Sequence, residues 1–205
     1  MKNSIVTITG PSCAGKSTLE RMLRDQYGYA NVISTTTRPQ RAGEVNGVGY
    51  YFVSRSEFEQ GEVDGLYIES IEFNGHKYGV STAEATRVFA KGQPVVVVVE
   101  PGGHRQIVAY AEKHDWNLSS VFVGNPAAVI AERFLRRFTE DDGADLKTYS
   151  ARLAVMMTEE IDWQIEASVN EELYDLKAWR FDEENCQDVA EIIALYVNRG
   201  AEVAA

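Results

Sequence analysis

Residues 10–17 read GPSCAGKS and satisfy the spacing G-x-x-x-x-G-K-[ST]. A glycine-rich turn lets successive backbone N–H groups converge, and a helix opening at its end adds unpaired amides of its own. Gly10, Pro11, Ser12, Cys13, Ala14, Gly15, Lys16, Ser17 and Thr18 thus form a candidate cradle for the phosphates of ATP. Lys16 has the reach for a β- or γ-phosphate, and the Ser17 hydroxyl can take a place on Mg²⁺, the cofactor such a site implies. Cys13, in the middle of the loop, reads as a tolerated small residue. The motif points to a nucleoside triphosphate without specifying a reaction.

A second cluster follows. Residues 34–41 read STTTRPQR: Ser34 and three threonines, then Arg38 and Arg41. Guanidinium forks bind phosphate oxygens in pairs, and hydroxyls add short charge-assisted hydrogen bonds. The chain as a whole carries a net charge of −11. Binding a nucleic acid polymer relies on neutralising many phosphates, so this balance opposes such a partner. A site for a small anion must instead gather positive charge locally. Arg38 and Arg41 do so, and so does ERFLRRF (132–138), with Arg133, Arg136 and Arg137.

The elements that must hold these residues follow from hydrophobic patterning. SIVTIT (4–9) reads as a buried strand before the glycine-rich loop, and a helical pattern runs from the loop to about Tyr27. ANVIST (30–35) reads as a second strand, and residues 36–49, with Pro39 and three glycines, as loop. YYFVS, GLYIESIEF and a stretch through Tyr78 read as short strands, with Asn74-Gly75 as a turn. Ser54/Glu57 and Ser81/Glu84 read as capping boxes. PVVVVVE is the strongest buried-strand pattern and suits a parallel sheet covered on both faces. Helix 103–114, strand 118–124, a helix with Pro126 at N1 to about Phe138, helix 147–166, a strand near 175–181 and helix 184–198 complete the chain.

Alternating strands and helices predict an α/β fold with a three-layer α/β/α core and a parallel sheet, and residues 34–79 break the rhythm as an inserted antiparallel or mixed lobe. The expected division is 1–33 with 80–125 and 156–205 as nucleotide-binding core, 34–79 as acceptor lobe and 126–155 as a helical lid. The composition, 44% hydrophobic and 25% charged, is that of a soluble globular protein. No run is long enough to span a bilayer, no leader pattern opens the chain, and two cysteines make no disulfide framework. A cytoplasmic protein without membrane partner, monomeric or homodimeric, is expected.

Residues 34–59, STTTRPQRAGEVNGVGYYFVSRSEFE, resemble the acceptor segment of guanylate kinases, with hydroxyls, R-x-x-R, G-E-V-x-G and Y-x-F-V-S in the same order. With the phosphate loop, the similarity holds well over 4–79, more loosely to about 110, and weakly beyond. It implies a P-loop nucleoside monophosphate kinase moving phosphate from ATP to GMP or dGMP. Ser34, Arg38, Arg41, Tyr50 and Tyr78 would hold the acceptor's phosphate, and Glu69 would read the base. A carboxylate can accept from both N1–H and N2–H₂ of guanine, whereas adenine offers no such pair.

The chain also departs from that family. Where the family has a hydroxyl to contact O6, Val80 stands, with Ser81 next. Either Ser81 substitutes, or reading of position 6 is relaxed toward another or modified purine nucleotide. The family's D-x-D-x-Q-G becomes VVEPGG (98–103), leaving Glu100 as the one carboxylate to serve base or metal-bound water. The lid keeps Arg133, Arg136, Arg137 and Arg152 around a rewritten loop, and Arg137 and Arg152 are the expected catalytic pair beside Lys16 and Arg38. The altered lid and Val98 also leave open a non-catalytic interaction module of the same fold, against which the intact Lys16-Ser17 pair argues.

Overall fold

The computed structural model describes residues 2–41, 43–73, 75–140 and 145–203, with side chains through residue 197. Its centre is a five-stranded sheet in the order β2-β7-β1-β8-β9. The strands are β1 (Ser4–Thr9), β2 (Ala30–Asn31), β7 (Val95–Val98), β8 (Asn117–Gly124) and β9 (Leu176–Trp179). Every pairing in it is parallel. Successive side chains of a strand point to opposite faces, and here both faces are apolar. Val6, Ile8 and Val96 join Leu19 and Leu23 of α1 (Lys16–Tyr27) and Ala190, Ile193 and Val197 of α7 (Cys186–Val203). Ile5, Val95 and Val97 face the other way, toward Val88 of α3 (Thr82–Phe89) and Ile107 of α4 (Pro101–Lys113). That is the expected three-layer α/β/α core.

The second sheet has the order β4-β3-β6-β5. It comprises β3 (Ser34–Thr36), β4 (Tyr50–Phe52), β5 (Tyr67–Phe73) and β6 (His76–Ser81). β3 pairs with β4 in parallel and with β6 antiparallel, and β5 with β6 antiparallel, so the inserted lobe is mixed. Helix α2 (Arg55–Val63) starts in the reciprocal capping box of Ser54 and Glu57 and stacks Phe58 on Tyr67, ring centroids 4.4 Å apart. The free edge of β5 is covered by α4. Gln106 accepts from the Ser70 N–H at 3.0 Å and donates to the Ser70 carbonyl at 2.9 Å, as a neighbouring strand would. Helices α5 (Ala127–Glu140) and α6 (Leu146–Val169) form a pair packed through Ile130, Phe134 and Met156. Among the described residues no helix is long and apolar enough to cross a membrane.

Several local expectations need correction. Residues 30–35 are not one strand but two, because the chain leaves the core sheet after Asn31 and enters the second sheet at Ser34. The crossing is held by Glu84, whose carboxylate accepts from the Ile33 N–H at 3.0 Å and pairs with Arg87 at 2.6 Å. Glu84 is therefore engaged elsewhere, and the Ser81 cap of α3 is one-way: the Ser81 hydroxyl accepts from the Glu84 N–H. Helix α4 begins at Pro101, two residues earlier than expected, since proline fits the first helical turn. Pro126 precedes α5 and caps it by accepting from Val129 and Ile130 N–H. Of the expected acidic loop 139–147, Thr139 and Glu140 end α5 and Asp145 caps α6. Residues 141–144 lie outside the described residues, as does Asn74 of the expected turn.

Candidate active site

β1 ends at Thr9 and the loop 10–15 turns into the N-terminus of α1. Gly10 sits at φ 145°, where an added Cβ would collide with the Val123 carbonyl, so the turn accepts only glycine. Cys13 takes φ 60° without being glycine, and its side chain packs on the Ile130–Phe134–Met156 cluster. The loop's carbonyls are braced from outside. Asn125 donates to the Ala14 and Phe181 carbonyls at 2.9 and 3.0 Å. Arg133 donates to those of Cys13, Ala14 and Phe181. Arg133 is thereby a support of the loop rather than a free cation of the lid. Lys16 Nζ donates to the Gly10 and Pro11 carbonyls at 2.7 and 2.8 Å. Burial lowers the Lys16 pKa, while Glu160 and Glu100 nearby pull it back up.

The acceptor clamp is built around Arg38. Its Nη1 and Nη2 donate to the two Glu44 carboxylate oxygens at 3.0 and 2.7 Å, and Nη1 also reaches the Pro39 carbonyl. The guanidinium lies 5.4 Å from the ring centroids of both Tyr50 and Phe52. A flat cation gripped on its edge and over its face is pre-organised, and among the described residues its Nε–H has no partner. Glu44 also accepts from the Arg41 N–H at 2.8 Å, which fixes the turn that carries the second arginine. The Arg38 hydrogen bonds, with that of Arg41, hold the Glu44 pKa down at about 2. The Tyr78 and Tyr50 rings meet edge to face at 6.0 Å, and both residues line the same cleft.

Glu69 lies in the middle of β5, opposite Val80 of β6, and is only 4% exposed. Burial pushes its pKa up to about 7, opposed by the Val80 backbone amide. The room for its carboxylate comes from α4, since a Cβ on Gly103 would stand 2.8 Å from Glu69 Oε2. Glu100, beyond β7 at the N-cap of α4, is pushed up to about 8, first by burial and then by Glu160 and Glu69, with Lys16 opposing. Val80 is 1% exposed and turned into the core with Ile68 and Val88.

These parts share one cleft of about 1060 Å³, more than a single small ligand needs. The sequence-derived residues lining it are Gly10, Ser12, Cys13, Gly15, Lys16, Ser17, Thr18, Ser34, Arg38, Arg41, Tyr50, Glu69, Tyr78, Glu100, Arg137 and Arg152. Arg133 and Arg136 line it too. Arg136, Arg137 and Arg152 make no ion pair with the described residues, so their charge is available to a ligand. Pro11 and Ala14 are buried beneath the loop. Ser81 does not line the cleft. Its hydroxyl accepts from the Glu84 N–H at the start of α3, outside the cleft where the expected base-reading role would lie.

The Ser17 hydroxyl and the Glu100 carboxylate open onto this same cleft, an all-oxygen donor set of the kind Mg²⁺ accepts together with phosphate oxygens and water. Among the described residues no group of three or more His, Cys, Asp or Glu could hold a metal by itself, so the substrate's phosphates would supply the remaining ligands. Sequence reasoning missed four contributors: Glu44, Gly103, Asn125 and Glu160. Glu44 had a local cue, six residues after Arg38 within G-E-V. The others act across long separations, such as 148 residues between Ser12 and Glu160, and leave no local pattern.

Comparison with known proteins adds an independent line. The guanylate kinase family model matches residues 2–181. A guanylate kinase of Nostoc sp. is 35% identical over 170 residues, covering 80% of this chain and 82% of that protein. One from Helicobacter pylori is 32% identical over 173 residues, covering 83% and 81%. The crystal structure of guanylate kinase from Anaplasma phagocytophilum superposes with a TM-score of 0.65 at 25% identity, covering 97% of this chain and 86% of that one.

Proposed function

The chain belongs to the guanylate kinase family and is an ATP-dependent nucleoside monophosphate kinase, and on that premise we propose how its residues divide the transfer of a phosphoryl group from ATP to GMP. The observation that carries this reading is the single cleft in which the Lys16 loop and the Arg38–Glu44–Tyr50 clamp face one another. Phosphoryl transfer needs little covalent help from a protein. It needs the acceptor oxygen in line and the charge of the moving group neutralised.

In this reading Lys16 and the amides of the loop and the start of α1, other than that of Ser12, which is bound to Glu160, hold the donor's phosphates. Ser34, Arg38, Arg41, Tyr50 and Tyr78 grip the acceptor's phosphate and aim it. Glu69 accepts from N1–H and N2–H₂ of guanine. Arg137 and Arg152, with Arg136 beside them, bring positive charge to the transferred group from the lid formed by the α5–α6 pair. Ser17, together with the donor phosphates, would hold Mg²⁺, with the Glu100 carboxylate in the same cleft, and the ion would supply further charge neutralisation. A cytoplasmic setting and the absence of nucleic acid and membrane partners belong to the same proposal.

One observation favours a broader acceptor range. The Val80 side chain is in the core and Ser81 does not line the cleft, so neither presents a donor to a purine O6 there. The test is a coupled ADP assay with GMP, dGMP, AMP and the deoxynucleotide of 2-aminoadenine. GMP is expected to be phosphorylated, AMP rejected because it offers Glu69 neither N1–H nor a 2-amino group, and the 2-aminoadenine nucleotide, which keeps only the 2-amino donor, turned over but more slowly than GMP. Strict GMP preference with no turnover of the 2-aminoadenine nucleotide would remove the relaxed reading and leave the guanylate reading intact.

A further inference from the structure

Glu160 lines the cleft and is not among the residues proposed to hold either nucleotide. It is 1% exposed. Both of its carboxylate oxygens are bound to one residue: the Ser12 N–H donates to Oε2 at 2.6 Å, and the Ser12 hydroxyl donates to Oε1 at 2.8 Å. Burying a carboxylate is costly unless its oxygens are satisfied, and short hydrogen bonds to a charged acceptor are among the strongest available. Ser12 belongs to the phosphate loop and Glu160 to α6, so this pair joins the donor site to a helix of the α5–α6 pair.

Helix α6 carries more than Glu160. Thr148, Arg152 and Trp163 also line the cleft from it. Arg152 lies eight residues before Glu160, about 12 Å along the helix axis at 1.5 Å per residue. A rigid helix pinned at one point holds its other side chains at a set distance from the pin. Trp163, within a turn of Glu160, lies 6.4 Å from Phe73 at the end of β5, so α6 also touches the acceptor lobe.

We propose that Glu160 is a positioning residue: through Ser12 it pins α6 to the phosphate loop and so sets where Arg152 stands relative to the phosphoryl group being transferred. This rests on the reading of Arg152 as an arginine of phosphoryl transfer. Glu160 itself touches no substrate. Removing the pin leaves GMP binding in place and misplaces Arg152, and an ångström of misplacement can cost on the order of 10²-fold in rate.

The experiment compares steady-state kinetics of the full chain with Glu160→Gln, Ser12→Ala, Arg152→Ala and the Glu160→Gln/Arg152→Ala double variant, with thermal melting of each. The expected result is a kcat loss of roughly 10- to 100-fold for Glu160→Gln, with KM for GMP held. Ser12→Ala, which keeps the amide bond to Glu160, should give a smaller loss of the same kind. Arg152→Ala should cost clearly less in the Glu160→Gln background than in the parent chain. Full multiplication of the two losses, or an unchanged kcat in both Glu160→Gln and Ser12→Ala, would overturn the proposal, because a purely structural carboxylate would not couple to a distant arginine. Hydrogen exchange along α6 separates this from the assignment of function. Even if the parent chain gave no GMP-dependent turnover, faster exchange over 146–160 in Glu160→Gln would support the pin, and unchanged exchange would exclude it.

Discussion

At the scale of single residues, the cleft works by holding charged groups where water would otherwise screen them. Arg38 illustrates the point. Lysine at this position keeps the charge but cannot hold both Glu44 oxygens and lie flat against Tyr50. Arg38→Lys should raise KM for GMP about 10- to 100-fold, the equivalent of one or two hydrogen bonds to a charged group. Glu69 gives a pH prediction. Its folded pKa, about 7, lies above the ordinary 4.5 because burial disfavours the ionised form. In the free enzyme a proton on Glu69 turns one acceptor oxygen into a donor facing guanine's own donors. The ratio kcat/KM for GMP should therefore fall as pH drops below about 7, and Glu69→Gln should abolish that limb along with most of the activity. The linkage to stability runs the other way. A folded pKa above the unfolded one means that stability falls as pH rises from 4.5 toward 7, so Glu69→Gln should melt higher than the parent at pH 8. A variant that melts lower there would show that the carboxylate is better satisfied than its burial indicates.

At the scale of elements, the two sheets are joined by side chains that imitate backbone. Gln106 of α4 completes the edge of β5 at Ser70, and β5 carries Glu69 one residue earlier. Gln106→Ala removes two neutral hydrogen bonds, about 1 kcal/mol each, and should lower the melting temperature while raising KM for GMP more than KM for ATP. Equal effects on both substrates would mean that the clamp does not hold the acceptor side in particular. Such couplings were the part of the fold hidden from sequence. The strand–loop–helix around Lys16 was legible because its chemistry is local: fixed glycines, then a lysine and a hydroxyl. The mixed lobe was legible from its turns and short alternating strands. The break at residues 32–33 was not, because it depends on Glu84, some fifty residues away, accepting the Ile33 amide. The Ser81 cap of α3 was legible from the Ser81–Glu84 spacing, whereas the position of Ser81 outside the cleft was not, because it depends on how β6 and α3 pack.

At the scale of the molecule, a chain of net charge −11 gathers arginines around one cleft. Two of the carboxylates lining it are tied down, Glu44 to Arg38 and Glu160 to Ser12, which leaves Arg136, Arg137 and Arg152 to meet a ligand. Screening should therefore weaken substrate binding before it weakens the fold. Raising the ionic strength from 0.05 to about 0.5 M should increase KM for both nucleotides severalfold with little change in melting temperature. A melting temperature that fell in step with binding would place those charges in the stability of the fold instead. The most direct test of the central claim is ADP formation from ATP with and without GMP, in the parent chain and in Lys16→Ala. Transfer between two nucleotides in one cleft predicts ADP formation that requires GMP and yields GDP in equal amount, with kcat lower by roughly 10²- to 10³-fold in Lys16→Ala. ADP formation indifferent to GMP, or unaffected by loss of Lys16, would contradict it.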